Sequence, residues 1–456
     1  MYTYRNTGSP MYVLYSALSL VLFVFLSPYF VYQAIRYKKY VGNLRERLGY
    51  LPVSFNVDAE PSIWIHAVSV GEALTARALA ADLKARYPRL RLYLSTTTLA
   101  GQQVAKSSLR HLVDGVFYFP FDWTVIVRRT LDLVKPRLFI MMETEIWPNL
   151  LHECRRRGVR TVMINGRIST RSYPRYKLVR PLFRRVLADV DRFCMQSEES
   201  AHRLIDLGAD PSRVTVTGSL KFDSLQLPAP GGHGKPRERV LRFFRISSHR
   251  TVVVAGSTMR GEEAAVLRAF AKIKATQTHA ACILAPRAPE RFGEVERIAR
   301  EAGFVVARRS ELPIDAEPRA DVIVLDSIGE LAQLYQLATV VFVGGSLVDH
   351  GGHNILEPAI FGKPILFGPH MQNFREIAET FVAKSAAIQV ASDRDLDDAM
   401  LGLVRDPVHR ASLGAAARAL VEANRGAKDK TLAVIDDLLP PAGGAGGNIR
   451  PFRLVQ

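Results

Sequence analysis

The 456 residues carry 61 Lys and Arg against 44 Asp and Glu, a formal net charge of +17, and 48% of them are hydrophobic. That composition excludes a disordered chain, a collagen-like repeat and a disulfide-held miniprotein, and at about 150 residues per domain the length suits two or three domains. The charge asks for an anionic partner: nucleic acid, a membrane surface or a phosphorylated substrate.

The first element is an uncharged run, Met11 to Tyr32. As a helix it is about 33 Å long, enough for a hydrocarbon core of about 30 Å. Tyr and Phe cluster at both ends, as interfacial belts do, and only Arg5 precedes it. Arg36, Lys38, Lys39, Arg45 and Arg47 follow, so the positive-inside rule places the remainder in the cytoplasm. No small-x-small cleavage site follows, which argues against a signal peptide. We therefore expect an inner-membrane anchor over 11–35, single-pass or monotopic, with Pro28 allowing a kink. Three Cys without pairing or metal spacing suit a reducing compartment.

From residue 60 short apolar runs alternate with helical stretches. Strands are expected at 62–66, 90–95, 115–119, 137–142, 160–164, 192–195 and 213–217, with helices at 72–86, 124–134, 148–157 and 176–188. This pattern predicts a parallel α/β domain over 36–225. The Pro/Gly-rich stretch 226–248 reads as a linker. A second alternation over 249–425 has strands at 251–255, 280–285, 321–325, 339–343 and 364–367. Its helices are expected at 262–274, 290–302, 329–336, 354–361 and 374–384. Residues 409–438 look helical, and 426–456 end in a loose Gly-rich tail. Charge is unequal: residues 1–225 hold 32 basic and 18 acidic side chains, net +14, and the rest hold 29 and 26, net +3. The densest basic region, 150–192, contains Arg155, Arg156 and Arg157 and reads as an anion-facing surface.

In such folds ligands sit at the carboxyl ends of the strands, so two facing domains would make an interdomain cleft. The common nucleotide fingerprints GxGxxG and GxxxxGK[ST] are missing. Asp189-Val190-Asp191 and Asp393-Arg394-Asp395 have DxD spacing but no catalytic setting. Chemistry-bearing strings do follow the strands. HAVSVGE places Glu72 in the first turn of a helix, as a catalytic carboxylate or a partner of the helix dipole. METEIWPNL sets Glu143 and Glu145 at a strand end. GSLKFD presents Lys221. LAPRAPERF puts Arg287 where a guanidinium can hold a phosphate. DSIGEL puts Gly329 and Glu330 at another such turn. In FVGGSLVDHGGHNILEPAIFGKP the glycines free backbone amides for an anion, and NILE opens a helix bearing Glu357. His350, His353 and Glu357 have metal-like spacing but lack a fourth ligand, and the anion site is the better reading; no metal is expected.

Together these strings resemble the 3-deoxy-D-manno-octulosonic acid (Kdo) transferase family of lipopolysaccharide synthesis. They occur in the family's order, and the resemblance runs from the anchor to about residue 425. It implies a GT-B fold of two Rossmann-like domains with the active site between them. It also implies CMP-Kdo as donor, the tetraacylated, bisphosphorylated lipid A precursor (lipid IVA) as acceptor, and no cofactor. By position Glu72 matches the proton acceptor, and Glu143 and Lys221 the transition-state stabilisers. Pro286, Arg287, Ile328, Gly329, Glu330, Asn354, Ile355, Leu356 and Glu357 match the CMP contacts. Two departures stand out: Ala288 replaces the usual His, and ten residues precede the anchor. Anionic inner-membrane lipids are the expected further partner, and nucleic acid is not. Two alternatives remain: a membrane-associated GT-B enzyme using a UDP-sugar, and a non-enzymatic, membrane-tethered binder of anionic lipid.

Overall fold

The computed structural model describes residues 10–37, 44–52, 55–56, 58–170, 172–223, 250–312 and 319–440. The expected linker at 226–248, the tail from 441, and Lys38 and Lys39 lie outside these residues. The chain divides into two compact units, Met1–Ser224 with Arg425–Gln456, and Leu225–Asn424.

The first unit is built on a seven-stranded sheet ordered β3-β2-β1-β4-β5-β6-β7. The strands are β1 Ser62–His66, β2 Arg91–Thr96, β3 Gly115–Tyr118, β4 Pro136–Met142, β5 Arg160–Gly166, β6 Arg192–Met195 and β7 Val214–Val216. All pairings are parallel. Each strand lies within two residues of its expected bounds, and the central ones, β1, β4 and β5, are covered on both faces and read as largely continuous apolar runs. Strand alternation divides the core in two. Trp64, Phe139, Met141, Met163 and Phe193 face one side, packed by helices Thr124–Val134, Pro148–Arg156 and Arg180–Leu187. Ile63, Ile65, Leu138, Ile140 and Val162 face the other. There they meet helix Val70–Arg86 and, from the far end of the chain, Ala427, Leu432 and Ile435 of helix Ala427–Leu438.

Among the described residues of this unit, the one-turn helix Leu44–Arg47 and two longer helices were not expected. Leu99–Ser108 buries only Gly101, Gln102 and Ala105, so it has no apolar stripe to read; Thr98 caps it. Glu198–Asp206 is capped by Ser197 and is similarly short of apolar residues. The stretch expected as one helix over 176–188 is two, Tyr173–Leu178 and Arg180–Leu187, with Pro181 opening the second.

The second unit repeats the plan, in the order β10-β11-β9-β8-β12-β13-β14. Its strands are β8 Val252–Thr258, β9 Ala281–Pro286, β10 Val306–Arg308, β11 Val322–Val324, β12 Val340–Val343, β13 Ile365–Phe367 and β14 Ile388–Gln389. The two unexpected strands, β10 and β14, are the edges, three and two residues long and too brief for a pattern. The expected helix at 354–361 is a single turn, Leu356–Ala359. The long helical stretch is two helices, Pro407–Ala423 and Ala427–Leu438, interrupted at Gly426, where φ is +91°.

The N-terminal helix spans Pro10–Tyr37. Its window Met11–Pro28 has a mean hydropathy of 1.9. One stripe lies against the first unit. Tyr12 donates to Asp189 and stacks on His152, and Tyr15 bonds Asp122. Ser16 accepts from Asn149 at 2.9 Å, Ser19 accepts from Trp123 at 3.2 Å, and Phe23 packs on Phe121 and Trp123. The spacing is that of one helix face. The opposite face, including Val13, Leu14, Leu18, Val21, Leu22 and Phe25, is exposed. Pro28 offers no amide to the carbonyl of Val24, and the Ser27 hydroxyl bonds that carbonyl instead at 2.7 Å.

Candidate active site

In each sheet the strand order reverses beside the first strand of the unit, between β1 and β4 and between β8 and β12. Ligands of open α/β sheets bind at such switch points.

Glu72, in the first helical turn after β1, and Glu143, in the loop after β4, flank the first reversal. Ser69 caps helix Val70–Arg86, and its hydroxyl donates to Glu72 Oε1 at 2.8 Å. The Val68 amide donates to Glu72 Oε2 at 2.9 Å. Ser-x-x-Glu at a helix start is a capping-box spacing, so the sequence alone fixes this carboxylate in the first turn. Glu72 is 8% exposed. Burial and the charges of Glu143 and Glu145 raise its pKa to about 7, against the bonds from Val68 and Ser69. A carboxylate poised there can take a proton near neutrality.

Glu143 extends the β4–β5 ladder by one bond, its amide donating to Ile164 at 3.0 Å, and then turns with φ +55°. A non-glycine residue in that region costs on the order of 1–2 kcal/mol, a strain that recurs where a side chain must be aimed. Glu145 accepts from Trp147 at 2.9 Å. Its Oε2 lies 3.5 Å from Nε2 of His66, which is fully buried and stacked on Phe119. Lys221 lies half-buried in the turn after β7. That turn is held by Asn165, at the end of β5, whose Oδ1 accepts from the Leu220 amide at 3.0 Å. Ser69 and Asn165 are the site residues that sequence reasoning passed over. Ser69 was legible from the cap spacing. Asn165 was not, because its partner is 55 residues away.

In the second unit Pro286 ends β9, and exposed Arg287 follows, its amide donating to Thr258 at 3.0 Å. Gly329 turns with φ +92°, leaving Ile328 85% exposed at the loop tip. Glu330 accepts from Ser327 and lies 3.3 Å from Arg309, so part of its charge is answered within the unit. Asn354 Oδ1 accepts from the Leu356 amide at 3.1 Å and its Nδ2 donates to Glu357 at 3.1 Å. Burial raises the pKa of Glu357 against Asn354 and Arg287. Burial, Arg287 and His350 lower that of His353 to about 4, so it is neutral at physiological pH. No group of three or more His, Cys, Asp or Glu able to hold a metal occurs among the described residues.

One expectation needs correction. The Gly345, Ser346 and Leu347 amides are not free for an anion. They donate to the carboxylate of Glu262, at 2.7, 2.9 and 2.9 Å. The helix after them is one turn, and Asn354 occupies its Leu356 amide. Arg287 thus remains the main cationic group of this set. The Arg155–Arg157 triplet is also largely answered internally, by Asp189, Glu153 and Asp132.

Two Rossmann-like units, each with its candidate side chains on strand-end loops, make this a protein of the GT-B plan. Comparison with known proteins agrees. Residues 42–224 match the family described as 3-deoxy-D-manno-octulosonic-acid transferase (kdotransferase). The chain is 34% identical to the 3-deoxy-D-manno-octulosonic acid transferase of Haemophilus influenzae, over 90% of this chain and 93% of that one. It is also 34% identical to the Bordetella pertussis enzyme of the same name, over 83% and 87%. A solved UDP-GlcNAc 2-epimerase from Neisseria meningitidis superposes with a TM-score of 0.54 at 12% identity, covering 83% of this chain and all of that one, a likeness of fold alone. The chain belongs to the Kdo transferase family and is a glycosyltransferase.

Proposed function

We propose that the enzyme transfers Kdo from CMP-Kdo to a hydroxyl of the lipid A precursor lipid IVA, inverting the anomeric carbon. The observation that carries this reading is Glu72, buried at the β1/β4 switch point with a proton affinity matched to neutral pH. Glu72 takes the proton of the acceptor hydroxyl as its oxygen bonds the anomeric carbon. The bond from that carbon to the phosphate oxygen breaks, and CMP leaves with the electron pair. The transition state is oxocarbenium-like, and Glu143 stabilises positive charge there. Lys221 answers negative charge on the Kdo carboxylate or the departing phosphate. Pro286, Arg287, Ile328, Gly329, Glu330 and Asn354 to Glu357 hold CMP, with Arg287 on its phosphate. No cofactor enters the scheme.

The N-terminal helix seats the enzyme on the inner membrane, its outer face in lipid. The stripe from Tyr12 to Phe23, about 16 Å of helix, packs on the first unit and favours a monotopic anchor over an isolated span. The domain boundaries at 36–225 and 249–425 follow the same division of labour, acceptor first and donor second. Mass spectrometry of lipid IVA after incubation with CMP-Kdo tests the reading. One or more Kdo additions are expected, and an unmodified lipid refutes it. A UDP-sugar donor would reveal itself by competition from UDP rather than CMP.

A further inference from the structure

The Glu262 carboxylate is fully buried. It accepts four backbone bonds and satisfies both oxygens. Oε2 takes the amides of Met259 at 2.8 Å and Gly345 at 2.7 Å; Oε1 takes those of Ser346 and Leu347, each at 2.9 Å. A carboxylate has about four lone-pair sites, so the match is complete. Three successive amides converging on one anion form a nest, the arrangement that elsewhere receives a ligand's phosphate. Here the anion comes from the chain itself.

The two loops joined this way follow β8 and β12, the strands that flank the second switch point. Both continue into the residues assigned to the donor. From Met259 the connection runs to Thr258, whose carbonyl accepts from the Arg287 amide at 3.0 Å. Ser257 beside it is held at φ +57°, a strained conformation for a non-glycine residue. On the other side the Gly345 carbonyl accepts from the Gly352 amide at 2.7 Å, two residues before Asn354. Packing is tight: a Cβ on Gly345 would stand 2.9 Å from the His353 ring, and one on Gly344 would stand 2.5 Å from the Ser257 carbonyl.

We propose that Glu262 is a positioning residue for donor binding: its carboxylate, filling the Gly345–Leu347 amide nest, sets the loops bearing Arg287 and Asn354–Glu357 at the spacing a nucleoside monophosphate sugar needs. The inference rests on the donor reading above and adds a residue to it. The nest itself takes no donor phosphate. Gln at 262 keeps the shape but turns an NH2 toward two of the four amides, replacing two bonds by two repulsions.

The test compares full-length wild type with Glu262→Gln, and with Glu262→Asp should Gln fail to fold. Thermal melts establish folding. Calorimetry gives CMP affinity, steady-state kinetics give donor and acceptor KM separately, and hydrogen exchange follows the Gly345–Leu347 amides. Losing two buried bonds predicts a CMP Kd and donor KM raised at least about tenfold, an acceptor KM within about twofold, and loss of protection at those amides. A folded Glu262→Gln protein with wild-type CMP affinity overturns the proposal, as does an equal rise in both KM values. A wild type that binds CMP but transfers no Kdo sinks the proposed reaction and leaves this inference to the binding data. A wild type that prefers UDP overturns the donor reading, and the same comparison is then made with UDP, where unchanged affinity again overturns the positioning role.

Discussion

Replacing Glu72 by Gln separates what its carboxylate does for the reaction from what it costs the fold. The ordinary pKa of the group is 4.5, and in the folded protein it is about 7. Between those values the folded state holds a proton that the unfolded state has released. Stability therefore falls as pH rises from about 4.5 to about 7 and is level above. At about 1.4 kcal/mol per tenfold in proton affinity, the ionised side chain costs about 3 kcal/mol at pH 8. Glu72→Gln, neutral at every pH, should be the more stable protein by roughly that amount at pH 8 and equal to wild type at pH 4. Kdo transfer should move oppositely. A general base contributes about 10²–10⁴-fold, so the variant should lose that much in kcat. Wild-type kcat/KM should rise with pH, with roughly a tenth of Glu72 ionised at pH 6 and nine-tenths at pH 8. Chemical denaturation at the two pH values, beside a pH–rate profile, measures both effects. A Gln variant that is less stable at pH 8, or that keeps wild-type turnover, refutes the argument.

Ser69→Ala removes a bond that lowers the Glu72 pKa, so the pH–rate midpoint should move alkaline, whereas a midpoint that stays put would mean the hydroxyl only caps the helix. Arg291 and Glu263 form a buried pair at 2.7 Å, so Arg291→Met should cost about 3 kcal/mol and Glu263→Gln on that background should recover part of it, read by urea melts in a double-mutant cycle. Asp122 accepts the Asn149 and Leu150 amides at 3.0 and 2.8 Å inside the core, so Asp122→Ala should destabilise the first unit by about 2–4 kcal/mol in the same assay. Vesicle sedimentation of the full chain should survive high salt, because the exposed helix face carries apolar side chains worth about 1.5–3 kcal/mol each when buried, and release at high salt would make the attachment electrostatic.

Periodicity is a local property, and what it disclosed is local. The central strands of the first sheet could be read because β1, β4 and β5 are runs of residues buried on both faces. Helix Leu99–Ser108 could not, because its buried face is Gly101, Gln102 and Ala105. The site divides the same way. Ser69 and Glu72 are three residues apart, so their geometry is written in the chain. The string GGSL does resemble an anion-binding nest, and it is one, but its anion lies 83 residues earlier, in a partner that no local pattern announces. Tyr12 and Tyr15 likewise read as interfacial aromatics until Asp189 and Asp122 come into view.

Helix Ala427–Leu438 returns to a core begun some 360 residues earlier at Ile63 and Ile65. The second unit is thus an uninterrupted insertion, and the first is made of two pieces. During synthesis the inserted unit has its full complement of residues before the unit that encloses it in sequence does. The earlier-made sheet must wait, with part of its Ile63 face uncovered, until the ribosome delivers Leu432 and Ile435. A chain cut after Asn424 should keep a complete second unit and lose the first to aggregation, whereas a cut that removes the N-terminal half should leave the second unit able to fold by itself.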